Sequence, residues 1–346
     1  MFYRRDRLYR TCFPSHNQDD YRWRSPVPSS GLCPRRRCAC FNSRHTGKDF
    51  VGPAGNTNRD CHFFHRGAVF LLFTNEKEKR ILVMLSIQGL DFSYKNISVL
   101  KDVGIELNKG EVLSIVGPNG AGKTTLLKCI LGIVKQDKGT ILINGRDASR
   151  IKRLNMAKCI SYVPQASPSR FPISVFDAVL MGRRPYIVWK PSKKDLEVVA
   201  DVLRSMDLED VALRDFDQLS GGQKQKVLLA RAFAQETDYL LLDEPTSNLD
   251  LRHQMEVMEM ISSMVKKKGM AAILAMHDLN LASRFSDTIV MLNAGKIFCT
   301  GKPQQVMTVE NIRSVYGVEA TISGSNGHPH IVPVSPVISS KVKAQS

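Results

Sequence analysis

Two short stretches of this 346-residue chain carry side chains suited to handling phosphate. Gly117–Thr124 reads GPNGAGKT and fits the pattern G-x-x-x-x-G-K-[ST]. Its glycines allow the backbone to curl until successive N–H groups face one phosphate cluster, and the helix that follows adds its positive end. Lys123 is placed to reach the β- and γ-phosphates of a nucleoside triphosphate, and the Thr124 hydroxyl to bind Mg²⁺. The second stretch, Leu240–Pro245, reads LLLDEP. An apolar strand ending in two acids puts Asp243 where a water-mediated Mg²⁺ contact is possible, the Walker B role. Glu244 then faces the γ-phosphate, where a carboxylate can polarise the attacking water.

Elements of matching type surround both stretches. LSIQGLDFSY alternates apolar and polar residues as a strand does, and GIELNKGEVLSIVG holds two strand patterns around an Asn108–Gly110 turn. The period then becomes helical in KTTLLKCILGI, with Gly132 as its end. Ile160–Val163, Tyr239–Leu242 and Ala271–Met276 are short apolar runs, the pattern of strands covered on both faces. Helical patterns over Lys193–Met206, Gly222–Gln235 and His253–Lys268 lie between them, so the expected class is α/β. A hairpin is expected from Thr288–Leu292 and Lys296–Thr300, turning at Asn293–Gly295. Met255, Met258 and Met291 read as core filler.

Charge and cysteine are concentrated at the start. The chain holds 49 Lys+Arg against 33 Asp+Glu, a net +16. Residues 1–83 hold 16 basic and 7 acidic side chains and five of the eight cysteines, and no helical or strand period runs through them. They read as a basic, poorly ordered extension. A zinc site from Cys33, Cys38 and Cys40 with neighbouring histidines is disfavoured by the C-x4-C-x-C spacing. Cys129, Cys159 and Cys299 read as buried thiols. No apolar stretch approaches the roughly 20 residues a membrane-spanning helix requires. Eight cysteines are too few for a secreted disulfide scaffold.

Leu219–Gln223 reads LSGGQ, and with the two phosphate motifs in this order the chain resembles the ABC-transporter ATPases over roughly 84–334. The resemblance implies a P-loop fold of that type: a mixed sheet core, an antiparallel β subdomain and a helical signature subdomain. The expected boundaries are 1–83 for the extension, 84–325 for the ATP-binding domain and 326–346 for a tail. ATP and Mg²⁺ are the implied cofactors. Tyr94 matches the A-loop aromatic that stacks on adenine, and Gly117, Pro118, Asn119, Gly120, Ala121, Gly122, Lys123, Thr124 and Thr125 match the phosphate-binding set. Gln165, in YVPQ, matches the glutamine that touches Mg²⁺ and senses the permease. Asp250 matches the D-loop, and His277 the switch histidine on the γ-phosphate. By the same resemblance Leu219, Ser220, Gly221, Gly222 and Gln223 cap the ATP held by a second copy of the chain. Glu244, His277 and Lys123 are the implied catalytic residues of an ATP hydrolase coupled to transport, an ABC-type translocase.

Three further segments, Phe171–Tyr186, Leu249–Glu259 and Val315–Val334, resemble the ATPases of iron-chelate, haem and cobalamin importers. They imply a separate polytopic membrane permease as partner, a substrate-binding protein as an indirect one, and a place on the cytoplasmic face of the membrane. No nucleic acid is expected. The alternatives are an ATPase of another transporter class, such as zinc, manganese or another small solute, and a soluble non-transport ABC protein. The single cassette without heptads disfavours the latter.

Overall fold

The structure is a computed structural model that describes residues 83–165, 173–325 and 327–337. All of them belong to one structural unit, Asn75–Ser346. The cysteine- and histidine-bearing extension, including the zinc alternative, lies outside the described residues, as do 166–172 and the last nine residues.

In chain order, β1 (Val83–Tyr94), β2 (Ile97–Asn108) and β3 (Val112–Val116) lead into helix α1 (Lys123–Ile130). Then come β4 (Lys138–Ile143), β5 (Arg146–Asp147), α2 (Arg153–Cys159) and β6 (Ile160–Val163). Helices α3 (Val175–Leu180), α4 (Lys193–Ser205) and α5 (Gly221–Ala234) precede β7 (Tyr239–Asp243), α6 (Leu251–Lys268), β8 (Ala271–Ala275) and α7 (Leu279–Phe285). The last elements are β9 (Thr288–Asn293), β10 (Lys296–Gly301), α8 (Pro303–Val306), α9 (Val309–Tyr316), β11 (Val318–Ser325) and β12 (His328–Pro336).

Six strands form the central sheet in the order β10-β9-β3-β8-β7-β6. The β9-β3-β8-β7-β6 pairings are parallel, and β10 joins β9 antiparallel at the edge. Every residue of β3, β7 and β8 is buried, as expected for parallel strands covered on both faces. Leu113, Ile115, Leu241 and Ile273 from these strands join the core beneath α1, each contributing about 1.5–3 kcal/mol by leaving water. A second, antiparallel sheet runs β2-β1-β4-β5. Its inward residues Leu85, Ile87, Leu100, Leu107 and Ile141 belong to the same core, so the sheet braces the strand that feeds the glycine-rich loop.

Helices α3, α4 and α5 build the helical segment around a buried ion cluster. Arg183 is 3% exposed, and it donates to Asp195 at 3.0 Å, to the Ala234 carbonyl at 2.7 Å and to Glu236 at 2.7 Å. Asp195 itself closes the capping box of α4 with Ser192, so one carboxylate fixes both a helix start and an arginine.

Two expectations need correction. Met258 and Met291 are core residues, but Met255 is only half-buried, because α6 turns that edge outward. Cys129 is buried, whereas Cys159, at the end of α2, and Cys299, within edge strand β10, are half-buried. The chain closes with a hairpin, in which β12 pairs antiparallel with β11 from Val318↔Pro336 to Ser325↔His328. Among the described residues no helix is long and apolar enough to cross a membrane.

Candidate nucleotide site

The parallel strands β3, β8, β7 and β6 are neighbours, and each delivers one site segment at its carboxyl end. In open α/β sheets this edge is where ligands bind. The glycine-rich loop follows β3, and two of its glycines are required by space as well as by dihedral angle. A Cβ on Gly117 (φ +151°) would overlap the Leu292 carbonyl of β9, and one on Gly122 (φ +105°) would press on Leu100 at 2.8 Å. The loop is thereby pinned between the two sheets. The Lys123 ammonium, buried at 6% exposure, curls back to donate to the carbonyls of Gly117 (2.7 Å) and Pro118 (3.1 Å). Burial pulls its pKa below the usual lysine value, against the opposing pull of the Glu244 and Asp243 carboxylates.

Asp243 ends β7 and is almost fully buried. One of its oxygens accepts from the Thr124 hydroxyl at 3.1 Å, the other from the Tyr162 hydroxyl at 3.4 Å. Burial raises its pKa, the Thr124 bond opposes that, and neighbouring Glu244 adds to it. Tyr162 was not singled out in the sequence; its signal is its place on β6, three residues before Gln165, on the strand paired to β7.

Glu244 continues the β7–β8 ladder by donating its N–H to the Ala275 carbonyl at 2.9 Å, then adopts φ +51°. This left-handed backbone, uncommon for a residue with a side chain, ends the strand at the site. The carboxylate accepts from the Gln165 amide at 2.5 Å, and His277 Nδ1 lies 3.7 Å from the same oxygen. The structure therefore brings together Lys123, Thr124, Asp243, Glu244, Gln165 and His277. Five polar groups that can hold phosphate, a hard cation and a water converge on one sheet edge with a lysine.

The remaining predicted residues sit apart from that cluster. Tyr94 is 44% exposed and meets Phe92 edge to face, with ring centroids 4.7 Å apart, which leaves a face open for stacking. Ser220 and Gln223 spend their hydrogen bonds on each other in a capping box that starts α5. Asp250 caps α6 by accepting from the His253 N–H at 2.8 Å, and it meets His253 Nδ1 at 2.6 Å. The His253 ring also lies so close over Gly222 that a Cβ there would collide with it. His253, another residue not singled out in the sequence, thus joins the D-loop to the signature segment.

Fold and cluster define a P-loop nucleotide-binding ATPase. A model of the ABC transporter family matches residues 100–247. An uncharacterised ABC transporter ATP-binding protein of Methanocaldococcus jannaschii is 49% identical over 253 residues, 73% of this chain and 99% of that protein. A petrobactin import ATP-binding protein of Bacillus anthracis is 33% identical, covering 72% of this chain and 93% of its own. A hemin import ATP-binding protein of Thermobifida fusca is 37% identical over 73% and 89%. The solved structure of a putative metal-chelate type ABC transporter in an inward-facing conformation matches with a TM-score of 0.65 and 32% identity, over 73% of this chain and 97% of that one. The chain belongs to the ABC transporter family, as one of its ATP-binding subunits.

Proposed function

We propose that this subunit hydrolyses ATP to power the import of a metal chelate (an iron–siderophore complex, haem or cobalamin) through a separate membrane permease. The observation that carries the hydrolytic part is the convergence of Gln165 and His277 on the Glu244 carboxylate beside Lys123. Glu244 is the general base for the attacking water, His277 holds the γ-phosphate, and Lys123 leaves its two carbonyls for the β- and γ-phosphates.

Mg²⁺ fits the oxygen-rich set present. The Thr124 hydroxyl and Asp243 carboxylate stand 3.1 Å apart, and Gln165 adds an amide oxygen; Mg²⁺ prefers such hard donors and keeps several waters. The cation would neutralise phosphate charge there. Tyr94 stacks on the adenine. A second copy supplies Leu219–Gln223, so that two ATP molecules lie between two chains, and opening of that pair after hydrolysis moves the permease. The subunit then works at the cytoplasmic face of the membrane, with a substrate-binding protein acting on the far side of the permease.

Cargo is inferred from relatives and from the three segments Phe171–Tyr186, Leu249–Glu259 and Val315–Val334, since an ATPase subunit does not itself touch what is carried. The test is uptake in cells lacking the gene. Entry of labelled iron chelate, haem or cobalamin should fall, and be restored by the parental gene but not by Lys123→Ala. Normal uptake of all three, with a defect in zinc, manganese or another solute, would refute the cargo assignment.

A further inference from the structure

His277 has little to hold it from its own side chain. It is exposed, and the carboxylate it faces among the described residues, Glu244, stands 3.7 Å away, beyond hydrogen-bonding distance. Its position is therefore set by the backbone on either side. Upstream, the Met276 N–H donates to the Ile115 carbonyl of β3 at 2.9 Å, and the Met276 side chain is buried. Downstream, Asp278 caps α7 by accepting from the N–H groups of Asn280 (2.9 Å) and Leu281 (3.0 Å).

A helix of seven residues is too short to be rigid by itself. Besides packing on β3, α6 and α8, α7 is held by the C-terminal hairpin. The Asn280 side chain grips the backbone of Ile331 at both ends: its Oδ1 accepts from the Ile331 N–H at 2.7 Å and its Nδ2 donates to the Ile331 carbonyl at 3.1 Å. One turn on, the Ser283 hydroxyl donates to the Pro329 carbonyl at 2.8 Å, and His328 Nδ1 lies 3.1 Å from the Ser283 carbonyl. Ile331 is 4% exposed, which anchors the hairpin under the helix.

We infer that Asn280 is a positioning residue for His277: by clamping β12 it holds the first turn of α7, and so the switch histidine, in place for the γ-phosphate. This rests on the reading of His277 given above. A chain stopped near 325 would keep every motif residue and lose the clamp, so the hairpin is a working part of the nucleotide site and not an appendage.

The test is a double-mutant cycle on the full chain, with ATP hydrolysis measured for the parent, Asn280→Ala, His277→Ala and the double variant. A displacement of about 1 Å at a reacting group costs up to about a hundredfold, so Asn280→Ala should lower kcat by about ten- to a hundredfold and leave KM for ATP within about twofold. In the His277→Ala background the same change should cost less than about twofold, because the residue it positions is already gone. Asn280→Asp, which keeps the acceptor for the Ile331 N–H and loses the donor, should fall between and serves if Asn280→Ala does not fold. A full loss in both backgrounds, or a parental kcat in Asn280→Ala or Asn280→Asp while His277→Ala is impaired, overturns the inference and leaves the role of His277 standing. A parental rate in His277→Ala overturns that role, and this inference with it.

Discussion

The Gln165 amide donates to the Glu244 carboxylate at 2.5 Å, on the same oxygen that His277 Nδ1 approaches to 3.7 Å. Gln165 follows β6, and β6 is the strand paired to the one that ends in Asp243 and Glu244. A glutamine expected to report on the permease thus touches the base expected to activate water.

Lys123 is the residue whose loss should weaken nucleotide binding most simply. Its ammonium is held by the carbonyls of Gly117 and Pro118 within a buried loop, so Lys123→Ala removes the positive charge from the loop. ATP affinity, measured by equilibrium binding, should fall by about tenfold or more, the loss of roughly 1.5–3 kcal/mol for a charged hydrogen bond. Unchanged affinity would remove Lys123 from the phosphate site.

Gly117→Ala should be a structural failure. The new methyl group would run into the Leu292 carbonyl on β9, which is held in the central sheet. The variant should lose more than about 1 kcal/mol of stability, seen as a lower Tm in thermal unfolding. A parental Tm would mean that the loop has room to shift.

Arg183→Ala should cost about 3–5 kcal/mol, because it strands the buried Asp195 and the Ala234 carbonyl at once. Denaturant unfolding would measure this. A loss under about 1 kcal/mol would mean that the helical segment repacks around the gap.

Much of this arrangement is legible in the sequence because it is local. GPNGAGKT, LLLDEP and LSGGQ each sit where a strand meets a helix or a helix starts, and neighbouring residues set both the dihedral angles and the chemistry. Convergence is less legible. Gln165, Glu244 and His277 meet because β6, β7 and β8 are adjacent, and no residue near any of them encodes that order. Tyr162 is illegible for the same reason, since its partner Asp243 is 81 positions away. The β11–β12 hairpin was hidden by composition: Pro329, Pro333 and a run of Ser, Gly and His interrupt any alternation, and its hold on Asn280 is by backbone atoms that no side-chain pattern records. Met255 reads as core because a methionine on an amphipathic helix edge has the same spacing as one in the core.

The fragment 84–346 should fold and, paired with its permease, hydrolyse ATP. The reason is that patterning changes abruptly at Met84 and β1 already supplies Leu85, Ile87 and Leu90 to the core. Circular dichroism and ATP turnover of the fragment beside the full chain would check it. A fragment that fails to fold while the full chain does would show that residues 1–83 belong to the working protein.

The most direct test of the account is Glu244→Gln. The substitution keeps the shape of the side chain and removes the carboxylate that Gln165 and His277 flank. ATP turnover should fall by at least about a hundredfold, in keeping with the loss of a general base, while ATP still binds and locks two chains together. Turnover at the parental rate would contradict the assignment of Glu244 as the base, and with it the hydrolytic centre described here.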